Sequence, residues 1–240
     1  MISGFEDTGV PQDEGQHLQS VYRPAIAYGG PGRFGFDPKA HLTGTSDLVT
    51  DANRLQLFTE WGRYWDLKKP VLLEKSPPNL VRTRFLQELF PNSYFLMVIR
   101  HPIAVSYATQ KWSSTPLGEL IEHWLLCHER FELDKEHIRR LLVLKYEDFV
   151  EKPQAVLDTI YSFLGLPHYS NRIEVRLDVN EKYLRNWHAY QDDTASGGGV
   201  QATRLRLQYE RRVAAFGYSL DCQGSGSAEL VCRRTQRSDR

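Results

Sequence analysis

Residues 70–112, PVLLEKSPPNLVRTRFLQELFPNSYFLMVIRHPIAVSYATQKW, read as strand, loop, helix, strand, arginine, turn and helix. The apolar run Val71-Leu72-Leu73 stops at Glu74-Lys75-Ser76, and Pro77-Pro78 forces an extended turn before a helical pattern begins near Asn79. Leu80, Val81, Leu86, Leu89 and Phe90 suit one buried face of that helix. The next run, Tyr94 to Ile99, is almost wholly apolar, as in a parallel strand covered on both faces, and it ends abruptly at Arg100. Open α/β sheets bind ligands at the carboxyl ends of their strands, and Pro102 suits the first turn of a helix whose free N–H groups attract anions. Ser106 falls early in that helix, so an arginine and a hydroxyl are placed to hold one phosphate together.

The rest of the chain extends the alternation. Ser46 or Asp47 caps a helix to about Asp66, carrying Leu48, Leu55, Leu57, Phe58, Trp61 and Trp65. Pro116 opens a long amphipathic helix to about Lys135, and LLVLKY (residues 141–146) forms the next strand. Pro153 to Leu164 is a helix with Gly165 as its C-cap, and Ala202 to Phe216 is another. Residues 1–45 are rich in Gly, Pro and Asp and read as loop with one short helix around Glu14 to Tyr22. Ser196 to Gly199 reads as a flexible break, not a phosphate cradle, since no strand precedes it and no Lys-Ser or Lys-Thr follows. The expected fold class is α/β: a single domain over residues 1–220 with a central parallel sheet flanked by helices, followed by a disordered tail.

Composition bounds the function. Thirty basic and thirty acidic residues cancel, so no global field favours nucleic acid or an anionic membrane, and any polyanion site must be local. The apolar and charged fractions, 41% and 25%, are those of an ordinary globular protein, and no apolar run approaches the roughly 20 residues that span a bilayer. Cys127, Cys222 and Cys232 show no paired metal spacing, and Cys127 reads as a buried thiol on a helix, which favours a reducing, cytoplasmic compartment. No cluster of His, Cys, Asp or Glu has metal spacing, so no metal is expected. His123, His128 and His137 fall on a helix, where a solvated face is the ordinary expectation.

Three segments carry a family resemblance: EKSPPN (residues 74–79), FPNSYFLMVIRHPIAVSYATQKW (90–112) and LLVLKYEDFVEKPQAVLDTIYSFLGLP (141–167). Together they resemble the sulfotransferases that use 3′-phosphoadenosine 5′-phosphosulfate, whose fold is P-loop-like. The resemblance implies Arg100 and Ser106 as ligands of the nucleotide 3′-phosphate and Tyr146 as a neighbour of the adenosine, with His101 packing beside or touching the nucleotide. It implies Lys75 as a cation facing the sulfonate or its bridging oxygen. Family members use a histidine or glutamate as base, and Asp13-Glu14-Gly15-Gln16-His17 offers both, His17 first because an imidazole titrates near neutral pH and Glu14 second. On a helix the two, three residues apart, would share a face. The implied acceptor is a hydroxyl or amine of a small molecule, carbohydrate or peptide. The family's PRSGTT-like loop, which cradles the 5′-phosphosulfate, has no counterpart here, and MISGFEDTGVPQDEGQHLQS resembles the segment that follows it. Either the chain is truncated, which would also hide any signal anchor, or it is a divergent member. The alternatives are a non-catalytic nucleotide-binding relative and a P-loop kinase relative, the latter short of a Lys-Ser/Thr loop and a Mg²⁺-binding aspartate.

Overall fold

The computed structural model describes residues 2–169, 175–176 and 178–221; the expected tail, Cys222 and Cys232 lie outside them. In chain order the elements are β1 (Ile2–Ser3), α1 (Asp51–Trp61), β2 (Val71–Leu72), α2 (Thr83–Leu89), β3 (Phe95–Ile99), α3 (Pro102–Thr109), α4 (Leu117–Asp134), β4 (Leu141–Lys145), α5 (Tyr146–Glu151), α6 (Pro153–Leu164), α7 (Glu181–Asp192) and α8 (Gly198–Ala215). The chain is α/β, with helices and two small sheets, β1-β2 and β3-β4. It divides into two compact units, one of Met1–Phe95 with Leu126–Leu141, the other of Leu96–Leu125 with the chain from Leu142 onward.

In the first unit β1 and β2 are parallel, Ile2 opposite Val71 and Ser3 opposite Leu72. The segment before α1 is a series of single 3-10 turns, not the one short helix expected at Glu14 to Tyr22. Gln12 and Asp13 sit at φ 57° and 48°, which no regular helix tolerates, so the chain there can only turn. Helix α1 is shorter than its pattern suggested, because the Thr50 side chain caps it by accepting the Asn53 N–H at 3.1 Å. Its Leu57 and Trp61 pack with Leu18, Val21, Tyr22, Phe85, Leu86 and Leu89. Pro77 and Pro78 begin a 3-10 turn that delays α2 to Thr83.

Strands β3 and β4, all but the first residue of each in the second unit, run in the same direction. The Phe95 N–H donates to the Arg140 carbonyl where both begin, and the His101 N–H reaches the Glu147 carboxylate beyond where both end. Ile99 and Ile103 pack with Ile121, Trp124 and Leu125 of α4 and with Leu184, Trp187, Leu205, Tyr209 and Val213. The last five come from α7 and α8. Helix α7 was not anticipated, since its sequence EKYLRNWHAYQD is mostly polar and buries only Tyr183, Leu184 and Trp187. The glycine-rich stretch proves to be the start of α8: Gly197 at φ 82° caps it, and a Cβ on Gly198 would stand 2.8 Å from Asp193 Oδ2 and 2.9 Å from the Tyr190 carbonyl. Helix α6 spans the expected residues and ends at Gly165 in the left-handed conformation. His123 and His128 are buried, contrary to the solvated face expected, because α4 is covered on more than one side; His137 is exposed.

Trp187 has no exposed surface, and its indole N–H donates to the Leu220 carbonyl at 3.0 Å. Trp187→Ala should cost about 3–5 kcal/mol, measured as a lowered urea midpoint at unchanged slope.

Candidate functional site

The expected site residues fall into two constellations, one in each unit. In the second unit Arg100 directly follows β3, and its guanidinium lies 4.5 Å over the ring of Tyr146, the first residue of α5, with Tyr183 of α7 at 5.8 Å. Arg100 Nε donates to Asn180 Oδ1 at 2.7 Å, and Asn180 Nδ2 donates onward to Glu147 Oε1 at 2.8 Å. Glu147 Oε1 also accepts the His101 backbone N–H at 3.0 Å, and its Oε2 accepts the Tyr218 hydroxyl at 2.8 Å. One carboxylate thus fixes the end of β3, the turn into α7 and the aromatic core. Arg100 Nη2 and Ser106 Oγ are both buried and have no hydrogen-bond partner among the described residues, Ser106 being only 1% exposed on α3. A buried donor without an acceptor is costly, and an anion is the ligand that would relieve both.

His101 is structural glue at this point. Its Nε2 faces the Ser219 carbonyl at 3.1 Å and must carry the proton, so Nδ1 is free to accept the Ile103 N–H at 3.2 Å and cap α3. Burial lowers its pKa to about 4, helped by Arg100 and opposed by Glu147 and the Ser219 hydrogen bond. Around Tyr183 stand Arg100, Lys111 at 5.6 Å and Lys182 at 4.8 Å from the ring. Burial pushes the Tyr183 phenol up, but its hydrogen bond to Lys111 and the three cations outweigh this and leave it lowered. Glu147, Asn180 and Tyr183 were missed by sequence reading. Glu147 sits in the quoted segment beside Tyr146, but nothing in the spacing ties it to residues 33 and 71 positions away.

In the first unit Glu14 and Lys75 meet. Lys75 Nζ lies 3.7 Å from Glu14 Oε1 and donates to the Gln12 carbonyl at 3.2 Å; Glu14 is buried while Lys75 is exposed. Gln16 Nε2 donates to Glu14 Oε2 at 2.5 Å and Gln16 Oε1 accepts the Ala25 N–H at 2.8 Å, so the carboxylate is held from its own turn. His17 closes the same 3-10 turn through its backbone N–H to the Glu14 carbonyl, and its side chain makes no hydrogen bond or ion pair with a described residue. The turn is not a helix long enough to set the two side chains on one face. Glu74 packs against this turn, with burial raising its pKa against the donors Ser76, Asn79 and Gly15 N. Among the described residues no group of three or more His, Cys, Asp or Glu side chains is arranged to hold a metal. Among the described residues no helix is long and apolar enough to cross a membrane.

Residues 18–171 match a family described as the sulfotransferase family. The chain belongs to it. No curated protein and no solved structure matches the chain. The matched range contains Lys75, Arg100, Ser106, Tyr146 and Glu147, whereas Glu14, His17, Asn180, Tyr183 and Tyr218 lie outside it.

The neutral His101 sets a pH dependence. Its folded pKa is depressed below the usual 6.5, so the native state gives no proton-linked loss above pH 6.5 and loses stability as pH falls toward 4, where the unfolded chain binds a proton and the native chain does not. At about 1.4 kcal/mol per pH unit the loss from pH 6.5 to 4.5 should be roughly 2–3 kcal/mol. Urea unfolding at both pH values should show it, and His101→Gln should flatten that part of the profile.

Proposed function

We propose that this chain transfers a sulfonate group from 3′-phosphoadenosine 5′-phosphosulfate to a hydroxyl or amine. The observation that carries the reading is two buried donors without a partner among the described residues, Arg100 Nη2 on the guanidinium that lies over the Tyr146 ring and Ser106 Oγ on α3, in a member of the sulfotransferase family. In this reading Arg100 and Ser106 hold the 3′-phosphate and Tyr146 packs beside the adenosine. The strand that ends at Arg100 pairs with β4 in a two-stranded parallel sheet, and in this reading residues 1–220 act as one domain, supported by a family match that runs through residues of both units.

Sulfonate transfer requires a base to take the acceptor's proton as its oxygen or nitrogen bonds to sulfur. The S–O bond to the nucleotide phosphate breaks at the same time, and the departing oxygen needs a cation. We assign the base to Glu14 ahead of His17, because Glu14 is anchored by Gln16 and faces Lys75, while the His17 side chain has no partner among the described residues that would orient it. Lys75 supplies the cation. The products are the sulfated acceptor and adenosine 3′,5′-bisphosphate. Acceptors are small molecules, carbohydrates or peptides.

Calorimetric titration with adenosine 3′,5′-bisphosphate beside 5′-AMP tests the donor site. The bisphosphate should bind more tightly, and Arg100→Ala should weaken it by about 30-fold or more while leaving 5′-AMP unchanged. Equal affinity of mutant and native chain would remove Arg100 from the site. Glu14→Gln should reduce turnover by a factor of about 10²–10⁴ with nucleotide affinity intact. Tight bisphosphate binding without any turnover would favour a binding protein over an enzyme.

A further inference from the structure

Glu74 is the one carboxylate of the first unit's EKS loop, and the chemistry above leaves it unused. It is nevertheless the most heavily bonded side chain there. The Ser76 hydroxyl donates to Glu74 Oε1 at 2.5 Å, the Asn79 amide donates to Oε2, and the Gly15 N–H donates to the same carboxylate. Ser76 Oγ in turn accepts the Gln16 N–H at 3.1 Å. Every one of these partners is a donor, which is the arrangement an ionised carboxylate requires.

Its charge has a buried counterpart. Arg82 is fully buried, donates to the Ala40 and Arg23 carbonyls at 3.3 and 3.1 Å, and interacts electrostatically with Glu74 without forming a direct ion pair. Among the described residues Arg82 Nη1 is buried without a partner, as is Asn79 Oδ1 on the residue that binds Glu74. Arg82 compensates part of the Glu74 charge from within the core.

On its other side Glu74 touches the turn that carries Glu14. A Cβ built on Gly15 would stand 2.4 Å from Glu74 Cγ and 2.7 Å from Glu74 Oε1, so only glycine lets the two chains approach this closely. The Gly15 carbonyl is held from the opposite direction by the Trp61 indole N–H at 2.9 Å. Glu74 and Ser76 therefore take both backbone N–H groups, of Gly15 and Gln16, that follow Glu14, while Lys75, between them in sequence, takes the Glu14 carboxylate.

We propose that Glu74 is a positioning residue, which clamps the Gly15-Gln16 backbone and thereby holds the Glu14 carboxylate against the Lys75 ammonium. It acts through Glu14 and touches no substrate. This rests on the reading of Glu14 and Lys75 as the base and the cation of transfer, but the geometry can be tested without any transfer.

The experiment is zero-length cross-linking of the full chain with a water-soluble carbodiimide, which joins Glu14 and Lys75 as an amide by taking up the elements of water, followed by peptide mass spectrometry. The native chain should give the Glu14–Lys75 amide. In Glu74→Ala its yield should fall about fivefold, the factor expected when the net worth of one hydrogen bond is lost, and Glu74→Asp should recover part of it. Gly15→Ala, which displaces Glu74 by volume alone, should fall similarly and serves if Glu74→Ala does not fold, circular dichroism and thermal unfolding deciding that point. An unchanged yield in a folded Glu74→Ala or Gly15→Ala chain, or no such amide in the native chain, would overturn the proposal. Where the chain has turnover, Glu74→Ala should lower kcat and leave bisphosphate affinity alone. A chain without turnover whose cross-link still depends on Glu74 would sink the transfer reading and leave the clamp standing.

Discussion

In the proposed donor site Arg100 must keep its charge and yet be held still, and the Arg100-Asn180-Glu147 chain meets both demands. A direct Arg100–Glu147 ion pair would orient the guanidinium but cancel the charge that the proposed phosphate contact would use. Interposing the Asn180 amide lets Glu147 fix Arg100 Nε through two hydrogen bonds, at 2.8 and 2.7 Å, without a direct ion pair, and leaves Nη2 without a partner among the described residues. The same carboxylate accepts the His101 N–H and the Tyr218 hydroxyl, so the end of β3 and the core aromatic are registered on the group that aims Arg100. Tyr218 lies within hydrogen-bond reach of both Glu147 Oε2 and the Ile99 carbonyl, but it has one proton, and the shorter contact, at 2.8 Å, takes it. This is a network whose parts depend on one another, and its loss would be felt as misorientation before it was felt as unfolding.

Much of this was legible because it is local. The strand ending at Arg100, the proline that starts α3, the Pro153 helix with its glycine cap and the buried Cys127 each follow from a few adjacent residues. Tyr146 was expected as a strand-end aromatic and is the first residue of α5 instead, but the consequence is the same, since the chain leaves β4 at that residue. The buried thiol is inert for a stated reason: burial raises Cys127 to about 12.

What was not legible is long-range. Helix α7 has a polar sequence and a narrow apolar stripe, so periodicity alone does not announce it, and with it were lost Asn180 and Tyr183. The Glu14–Lys75 contact joins residues 61 positions apart, and neither residue's own surroundings in sequence name the other. Burial of His123 and His128 was misjudged because a helix pattern shows where one apolar stripe lies but not how many neighbours cover it. Gly15 is a similar case. Its φ is unremarkable, and its reason is the Glu74 side chain that comes to rest against it from a distant part of the chain.

The charge balance of the whole chain conceals how its charges are used. Thirty cations and thirty anions sum to zero, yet Arg100, Lys111 and Lys182 gather about one tyrosine ring with no ion pair to any described residue. Elsewhere the acids are spent on structure: Asp134 on His41 and Arg84, Glu122 on Arg212, Glu210 on the Ser219 hydroxyl and the Leu220 N–H. Lys111 and Lys182 are exposed, so water screens them, and an anion arriving beside the three cations would be attracted by all of them. A neutral His101 beside them is part of the same economy. A proton there would add a fourth positive charge next to Arg100 and remove the Nδ1 lone pair that accepts the first free N–H of α3. The helix that carries Ser106 is therefore capped by an uncharged ring, and the positive charge around Arg100 stays on side chains that can face an anion.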